Sequence, residues 1–320
     1  MRIGRVHREG DSTVKPDLSD MLRACRVPRP RPRSEAASGT GVRRHVCRIF
    51  TCEVVLACQG EPLVPFGEVE HRLRLLDGRF SRFRADSEIS RLNRAAGAWC
   101  DISDEMYALL KLGLDAAVRS GGLVNIAVLP RLVAAGYAES LPASDAPPSG
   151  RATGSADSRP VPPLTEVLDL GRGRARLVPG HAVDVGGLAK GKWADDVVSR
   201  LGPNAAASLG GDVSCRGPGP SGDGWPVALP GGEVLRLSDG AAATSGTGKR
   251  RWGAGAHHLI DPRTGQPSHS DVTRATAIAT TGGCAEWASS ALVIGGTGQA
   301  DWLGAHSGVL GWRLDAGEEH

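Results

Sequence analysis

Glycine and proline interrupt this sequence throughout, with 44 glycines and 21 prolines among 320 residues. Both residue types end helices and favour turns. The chain is therefore expected to form short helices and strands joined by glycine-rich turns, and a helical bundle is excluded. Hydrophobic residues make up 40% and charged residues 23% of the chain, so a sizeable core can form and global disorder is excluded.

Charge and composition exclude several classes of function. The net charge is +3 and aromatic residues are only 4% of the chain, so no nucleic-acid partner is expected. No stretch approaches the ~20 apolar residues of a membrane span, so no transmembrane segment is expected. The seven cysteines form no CxxC pair, which favours isolated thiols in a reducing cytosol over a disulfide framework or a zinc site.

The two ends of the chain differ in character. Residues 1–44 are rich in arginine and proline and lack the apolar run of a signal peptide, so we predict a disordered or mis-started arm and a cytoplasmic protein. Residues 45–320 are predicted to form a single domain. Within it, residues 139–163 are almost free of large apolar side chains, which predicts a surface loop.

The apolar pattern predicts helices mixed with hairpin-linked strands, an α+β fold with mainly antiparallel sheets. Residues 45–58 alternate as one strand, and 182–185 end another strand before a helix that Gly202 terminates. Further helices are predicted at 68–80, with Val69, Leu73, Leu76 and Phe80 on one face, at 88–93 and 104–119 with caps Ser87 and Ser103, and at 284–294. Further strands are predicted at 166–170, 205–209, 225–229, 233–237, 257–260 and 272–280, followed by a short amphipathic tail.

The segment Asp184-Val-Gly-Gly-Leu-Ala-Lys190-Gly-Lys192 lies at a predicted strand-to-helix turn. Its glycines would let an anion approach the backbone at the positive end of the helix, and Lys190 would add a charge. An ordinary glycine turn with a solvated lysine explains the spacing equally well. Trp193 stands where a phosphate-binding P-loop needs Ser or Thr, which excludes that motif.

Glu286 and Ser290 lie four residues apart on the predicted last helix, so their side chains share a face. A carboxylate and a hydroxyl are hard oxygen donors that suit Mg²⁺. A polar face turned to solvent is the alternative. His258, in the pair His257-His258, is a candidate general base, and strand alternation would point the two rings in opposite directions.

Seven stretches together, in this order, resemble the ApbE family of FAD:protein FMN transferases. They are FSRFRADSEISRLN (80–93), SGGLVN (120–125), VDVGGLAKG (183–191), SLGGDV (208–213), ATSG (243–246), HHLIDPRTG (257–265) and AEWASSALVIGG (285–296). The resemblance covers residues 45 to 305. It implies a single α+β unit with a core like the tunnelling fold.

The resemblance also implies an activity. FAD would bind with Mg²⁺, the FMN moiety would pass to a Thr or Ser hydroxyl of a target flavoprotein, and AMP would be released. The residues implied are Phe83, Leu123, Val124, Asn125, Asp184, Lys190 and Ile260 for FAD, the Gly187 carbonyl, Glu286 and Ser290 for the metal, and His258 for the transfer.

The sequence departs from the family pattern at three of these positions. The family usually has Asp and Thr where this chain has Glu286 and Ser290, and Asp where it has Asn125. Mg²⁺ demands near-octahedral distances, so the longer carboxylate arm requires a compensating shift. Two alternatives therefore stay open, an FAD-binding protein with reduced or lost catalysis and a pyrophosphatase that gives FMN and AMP.

Overall fold

A computed structural model describes residues 41–139, 159–248, 250–252, 256–306 and 308–316. Its helices are α1 (Phe66–Phe80), α2 (Glu88–Arg94), α3 (Asp104–Arg119), α4 (Leu129–Ala134), α5 (Leu164–Val167), α6 (Gly186–Leu201), α7 (Gly282–Gly295) and α8 (Ala300–Gly304), with 3₁₀ turns at Ile126–Val128 and Thr297–Gln299.

The strands fall into one large sheet and several small ones. They are β1 (Val42–Ile49), β2 (Cys52–Gln59), β3 (Cys100–Asp101), β4 (Leu168–Gly171), β5 (Arg174–Leu177), β6 (Ala205–Leu209), β7 (Asp212–Arg216), β8 (Trp225–Ala228), β9 (Val234–Leu237), β10 (Gly240–Gly246), β11 (Arg251–Trp252), β12 (Ala256–His257), β13 (Ile260–Asp261), β14 (Gln266–Pro267), β15 (Val272–Ala279) and β16 (Val309–Ala316).

The large sheet has the strand order β1-β2-β6-β7-β10-β15-β16, and every neighbouring pair in it is antiparallel. Helices α6 and α7 pack on one face, against β6, β7, β10 and β15. The β8–β9 hairpin covers part of the other face. The predicted α+β class with mainly antiparallel sheets is confirmed.

Alternation along the strands assigns side chains to the two faces. Ala241 and Ala243 of β10 belong to the main core beneath the helices. Ala242, between them, belongs to a smaller apolar cluster with Trp225 and Leu235 of the hairpin. The same strands therefore serve two separate cores.

Helix α1 buries the face that its spacing predicted, namely Val69, Leu73, Leu76 and Phe80. The two predicted serine caps are also confirmed. The Ser87 side chain accepts a hydrogen bond from the Ser90 N–H, and the Ser103 side chain accepts one from the Met106 N–H. These bonds satisfy N–H groups that have no partner within the helix.

The prediction of one strand over 45–58 is wrong, because β1 and β2 form a hairpin. Phe50 and Thr51 connect them with φ angles of 56° and 59°. Tight hairpin turns with positive φ usually contain Gly or Asn. Neither is present here, so the local sequence lacks the usual turn signal.

The prediction of a strand ending over 182–185 is also wrong. The Asn93 side chain accepts a hydrogen bond from the Val183 N–H at 2.8 Å and donates one to the Val183 carbonyl at 2.9 Å. The Asp184 N–H donates to the Ile126 carbonyl at 2.8 Å. A side-chain amide thus occupies the positions that a neighbouring strand would take.

Other differences concern strand boundaries and omissions. The predicted strand over 257–260 is divided between β12 and β13, while β5, β7 and β10 were not predicted at all. The predicted tail contains β16, which pairs with β15. Strand β10 has the sequence GAAATSG, and small residues give little periodic signal.

The structure describes only parts of the predicted arm and of the predicted loop. The first strand begins at Val42, within the predicted arm, whereas residues 1–40 lie outside the described residues. Residues 140–158 of the predicted loop also lie outside them. At the loop's far end, Val161 is buried and its N–H donates to the Pro262 carbonyl at 2.7 Å. No helix in the described ranges is both long and apolar enough to cross a membrane.

Candidate functional site

All eleven predicted site residues line a single cavity of about 400 Å³. They are Phe83, Leu123, Val124, Asn125, Asp184, Gly187, Lys190, His258, Ile260, Glu286 and Ser290. Phe83 and Ser290, at the two extremes, are more than two hundred residues apart in the sequence. The convergence of all eleven residues was expected from the resemblance, and their individual roles remain predictions.

The amino terminus of α6 opens into this cavity, since Gly186 and Gly187 are exposed and line it. The Asp184 carboxylate accepts a hydrogen bond from the Gly186 N–H at 2.8 Å. Its other oxygen lies 2.9 Å from Nε of Arg82. Asp184 therefore fixes the start of the helix, whose positive end is suited to an anionic ligand.

Helices α6 and α7 cross at a contact that only glycine permits. A Cβ on Gly191 would lie 2.4 Å from the Gly282 carbonyl oxygen. Gly191 therefore serves the packing of the two helices.

Asp195 of α6 fixes the start of α7. Its carboxylate accepts hydrogen bonds from the Gly282 N–H at 2.7 Å and from the Ser214 hydroxyl at 2.7 Å. Burial raises the pKa of Asp195 although these bonds favour its charged form. The contact and the cap together set the position of α7, which carries Glu286 and Ser290.

Glu286 and Ser290 both face the cavity, so the alternative of a solvent-facing polar surface is wrong. The Ser290 hydroxyl is buried and lies 2.9 Å from the Ser245 hydroxyl. Burial, together with the neighbouring Asp212 carboxylate, raises the pKa of Glu286 to about 7. Lys190 and Arg250 oppose this shift. A carboxylate held at such a pKa gains much from a bound cation.

The Lys190 side chain is only 15% exposed and forms an ion pair with Asp212. The alternative of a solvated lysine is therefore wrong. Burial disfavours the ammonium, but the carboxylates of Asp212 and Glu286 outweigh it and raise the pKa of Lys190. The carboxylates of Asp212 and Glu286 thus share the cavity with the cations Lys190 and Arg250.

The two histidines point in opposite directions, as alternation predicted. His257 is buried, with Nε2 2.9 Å from the Ser268 carbonyl oxygen, whereas His258 lines the cavity. Nδ1 of His258 is buried and has no hydrogen-bond partner within the described part of the chain. Burial and the charge of Arg250 lower the pKa of His258 to about 3. The imidazole is therefore neutral at pH 7, and its low pKa makes it a weak base unless an anion binds beside it.

An aromatic and cationic stack closes one end of the cavity. The Arg82 guanidinium lies 4.1 Å from the ring centroid of Phe83 and 4.6 Å from that of Tyr137. Tyr137 in turn stacks on Trp252 at 5.1 Å. Phe83 itself is 40% exposed, so its ring is available to a planar ligand.

Asn125 is buried and both ends of its amide are engaged. Oδ1 accepts from the Ala127 N–H at 2.9 Å, and Nδ2 donates to the Pro162 carbonyl at 2.9 Å. An aspartate could not make the second bond. Asn125 thus ties the 3₁₀ turn to the chain at Pro162, while Leu123, Val124 and Ile260 supply apolar lining.

Sequence reasoning missed several residues of the site. Arg82, Asp212 and Arg250 line the cavity and contribute most of its additional charge. Two of them lie within stretches that carry the family resemblance, FSRFRADSEISRLN and SLGGDV. For Arg82 and Asp212, a charged side chain inside a matching stretch could have indicated a place in the site. Arg250 lies outside them.

The cavity combines hard oxygen donors, half-buried cations and a partly exposed aromatic ring. The oxygen donors of Glu286, Ser290 and Asp212 suit a hard divalent cation. A Cβ on Gly187 would lie 3.5 Å from Oε1 of Glu286, so the backbone there is close to the carboxylate. These features suit an anionic ligand with an aromatic or planar part, and the oxygen donors suit a divalent cation.

Comparisons with known proteins identify the family of this chain. The model of the ApbE family matches residues 50–310, and the chain belongs to the ApbE family. It is 32% identical over 221 residues to a Treponema pallidum protein named FAD:protein FMN transferase, which covers 59% of each chain. It is 25% identical over 229 residues to a Vibrio cholerae protein of the same name, covering 66% of this chain and 67% of the relative.

Solved structures show the same fold. The apo flavinyl transferase ApbE of Pseudomonas stutzeri superposes with a TM-score of 0.67 at 22% identity, covering 82% of this chain and 88% of that one. The ApbE protein of Thermotoga maritima gives a TM-score of 0.68 at 22% identity, covering 79% and 86%. The chain spans about three-fifths of the length of the Treponema pallidum relative.

Proposed function

We propose that this chain is an FAD:protein FMN transferase, which uses Mg²⁺ to move the FMN moiety of FAD to a Thr or Ser hydroxyl of a target flavoprotein and releases AMP. The observation that supports this most is the convergence of all eleven predicted residues on one cavity. The names of the relatives support the same activity.

The chemistry of the cavity suits FAD. Its pyrophosphate would meet the amino terminus of α6 and the charges of Lys190 and Arg250. The flavin would contact Phe83 and the apolar surface of Leu123 and Val124. An anionic ligand would also raise the pKa of His258, because it favours the imidazolium.

The residues present fit a magnesium ion. Glu286, Ser290 and the Gly187 carbonyl would hold it, and half-buried Glu286 would gain a partner for its charge. When bound, the ion would neutralise negative charge on the pyrophosphate oxygens. Metal binding would compete with a proton on Glu286, so affinity for the ion should increase as the pH rises towards and past about 7.

The transfer is a displacement at phosphorus that depends on positioning and charge neutralisation. The acceptor oxygen bonds to the FMN-side phosphorus, and the bond from this phosphorus to the bridging oxygen breaks. AMP leaves with the bridging oxygen. The hydroxyl proton passes to neutral His258 or to water, and Lys190 offsets charge on the phosphates.

The test is incubation with FAD and Mg²⁺, with and without a peptide library whose members each contain one Thr or Ser. Covalent flavin on peptides together with AMP supports the transferase. AMP without labelled peptide supports a pyrophosphatase, and FAD binding without AMP supports a binding protein. Either of these last two results would contradict the proposal.

A variant pair assigns the activity to the cavity. Glu286→Ala should lose Mg²⁺-dependent AMP release by about 10²–10³-fold, the usual cost of removing one electrostatic stabiliser. Asp301→Asn removes an exposed carboxylate on α8 and should keep full activity. Full activity in Glu286→Ala would refute the metal assignment.

A further inference from the structure

Three potential metal ligands meet outside the cavity, where strand β1 lies beside helix α1. His45 and Cys47 come from β1, and Glu70 comes from α1. The donor atoms of these three side chains all lie within 4.8 Å of one another. Nε2 of His45 is 2.6 Å from Oε2 of Glu70. All three residues are half-buried, and none lines the cavity.

The fold explains why these side chains meet. His45 and Cys47 are two residues apart on one strand, so both point to the same face. Their partners across the hairpin, Leu56 and Val54, are fully buried, which identifies this face as the core side.

Two neighbouring side chains hold the group in place. The ring of Phe66, at the start of α1, stacks on His45 at 5.7 Å with an interplanar angle of 13°. Arg74, one helical turn after Glu70, donates to Oε1 of that carboxylate from Nε at 3.0 Å and from Nη2 at 2.6 Å. Oε2 is left directed at His45.

We propose that His45, Cys47 and Glu70 form a binding site for Zn²⁺ or a similar borderline-soft divalent cation, with water as the fourth ligand. One thiolate, one imidazole and one carboxylate form a ligand set that zinc accepts in tetrahedral sites. Thiolate and imidazole disfavour Mg²⁺, which requires oxygen ligands. The site is therefore chemically distinct from the oxygen donors of the cavity.

The charges at the site favour a cation at Glu70 and oppose thiolate formation at Cys47, because burial and the Glu70 carboxylate raise the pKa of the Cys47 thiol. Hydrogen bonds from His45 and Arg74 lower the pKa of Glu70, so its carboxylate is anionic. Arg74 acts as an outer partner that orients the carboxylate, as such partners commonly do around metal ligands. On binding, the Cys47 thiol releases its proton to solvent and the His45–Glu70 hydrogen bond is exchanged for two bonds to the metal.

A metal here would join the edge strand of the large sheet to α1. Both elements extend to the cavity. Its lining includes Phe50 of the β1–β2 turn and Asp77 and Phe80 of α1. The ion would thus stabilise one wall of the cavity without entering it. This inference does not depend on the proposed function.

The test uses the full chain, freed of metal with a chelator and titrated with Co²⁺. Native protein should develop thiolate-to-cobalt charge-transfer absorption, which Zn²⁺ should then displace. Cys47→Ser should lose this absorption. Its matched control is Cys52→Ser, which removes a thiol of the same hairpin that lines the cavity and should keep the absorption.

Histidine variants provide a second measurement if Cys47→Ser fails to fold, which circular dichroism would reveal. His45→Gln should weaken Co²⁺ binding by more than the roughly 10–100-fold that loss of an outer partner costs. His71→Gln, an exposed histidine next to Glu70, should bind like the native protein. The proposal is overturned if native protein gives no such absorption, if Cys52→Ser removes it, or if both histidine variants bind Co²⁺ as native protein does.

Discussion

The two faces of the large sheet use alternate residues of the same strands but surround very different chemistry. On β7, Asp212 and Ser214 point towards α6, where they meet Lys190 and Asp195. Cys215, next along the strand, points into the apolar cluster under the β8–β9 hairpin. The face under α6 and α7 holds the charged residues of the cavity, and the face under the hairpin holds none of them.

The pKa values of Cys215 and Glu286 differ in their causes, as the two faces differ in their charge. On the hairpin side, burial alone raises the pKa of the Cys215 thiol to about 12. On the helix side, the pKa of Glu286 is raised by burial and Asp212, and is opposed by two cations. Buried charges are costly even when paired. We infer that the hairpin face stabilises the fold. The cavity face lowers the stability, because it keeps the charged groups that binding requires.

The largest effect on stability is expected from Trp225→Ala on the hairpin face. Trp225 is 4% exposed, and its Nε1 donates to Oδ1 of Asn204 at 3.0 Å. The substitution leaves a cavity and should lower the free energy of unfolding by about 3–5 kcal/mol. Denaturant unfolding measures this loss, while FAD affinity of the folded protein should be unchanged.

Trp99→Ala is the control for Trp225→Ala. Trp99 is 43% exposed and contacts only the guanidinium groups of Arg174 and Arg176 among the aromatic and cation–π contacts of the described residues. Its loss should cost about 1 kcal/mol or less. Equal destabilisation by the two variants would contradict the assignment of stability to the hairpin face.

A smaller loss of stability, but with a loss of activity, is expected from Gly191→Ala. The added Cβ would meet the Gly282 carbonyl oxygen at 2.4 Å, and neither backbone can move freely. Overpacking of this kind costs about 1–3 kcal/mol. Because α6 and α7 would separate, Glu286 would also shift relative to Gly187. Unfolding and AMP release should therefore both be impaired.

Gly67→Ala is the matched control, since a Cβ there meets nothing within 4 Å. Because alanine favours the helix over glycine, this change in α1 should stabilise the protein by up to about 1 kcal/mol. An active, fully stable Gly191→Ala protein would show that the glycine contact does not position the site.

The effect of Glu286→Gln on stability depends on pH. The folded-state pKa of Glu286, about 7, lies above its ordinary value of 4.5, so its contribution to stability is complete below pH 4.5 and is lost as the pH rises through 7. In the presence of a chelator, the variant should therefore gain stability relative to native protein over this range, by up to about 3 kcal/mol.

Unfolding measured from pH 5 to pH 8 tests this. Trp225→Ala should show the same pH dependence as native protein, because the hairpin face holds no cavity charge. A pH-independent difference between native protein and Glu286→Gln would contradict the raised pKa of Glu286.

Local sequence patterns predicted the elements that local forces determine. The buried face of α1 follows from helical spacing, and the caps Ser87 and Ser103 follow from their own hydroxyl groups. Among the predicted residues of the cavity, Lys190, Glu286, Ser290 and His258 were candidates from their own motifs. Phe83, Leu123, Val124, Asn125 and Ile260 were reached only through the family resemblance. No local rule would have joined Phe83 to Glu286.

Long-range contacts explain what could not be predicted. The Val183 backbone is bonded by Asn93, ninety residues away, and Asp195 caps a helix eighty-seven residues later. The turn at Phe50 and Thr51 lacks Gly and Asn. At Val183 and at the start of α7, the hydrogen-bond partner comes from a distant part of the sequence. At Phe50 and Thr51, tertiary structure tolerates the positive φ angles. The spacing of residues along the sequence encodes none of these contacts.

The most direct test is a crystal grown with FAD and Mn²⁺, examined by anomalous diffraction. We predict a manganese peak bounded by Glu286, Ser290 and the Gly187 carbonyl, with the pyrophosphate of FAD beside it and the flavin near Phe83. FAD bound elsewhere, or a manganese peak away from Glu286 with FAD present, would contradict the account.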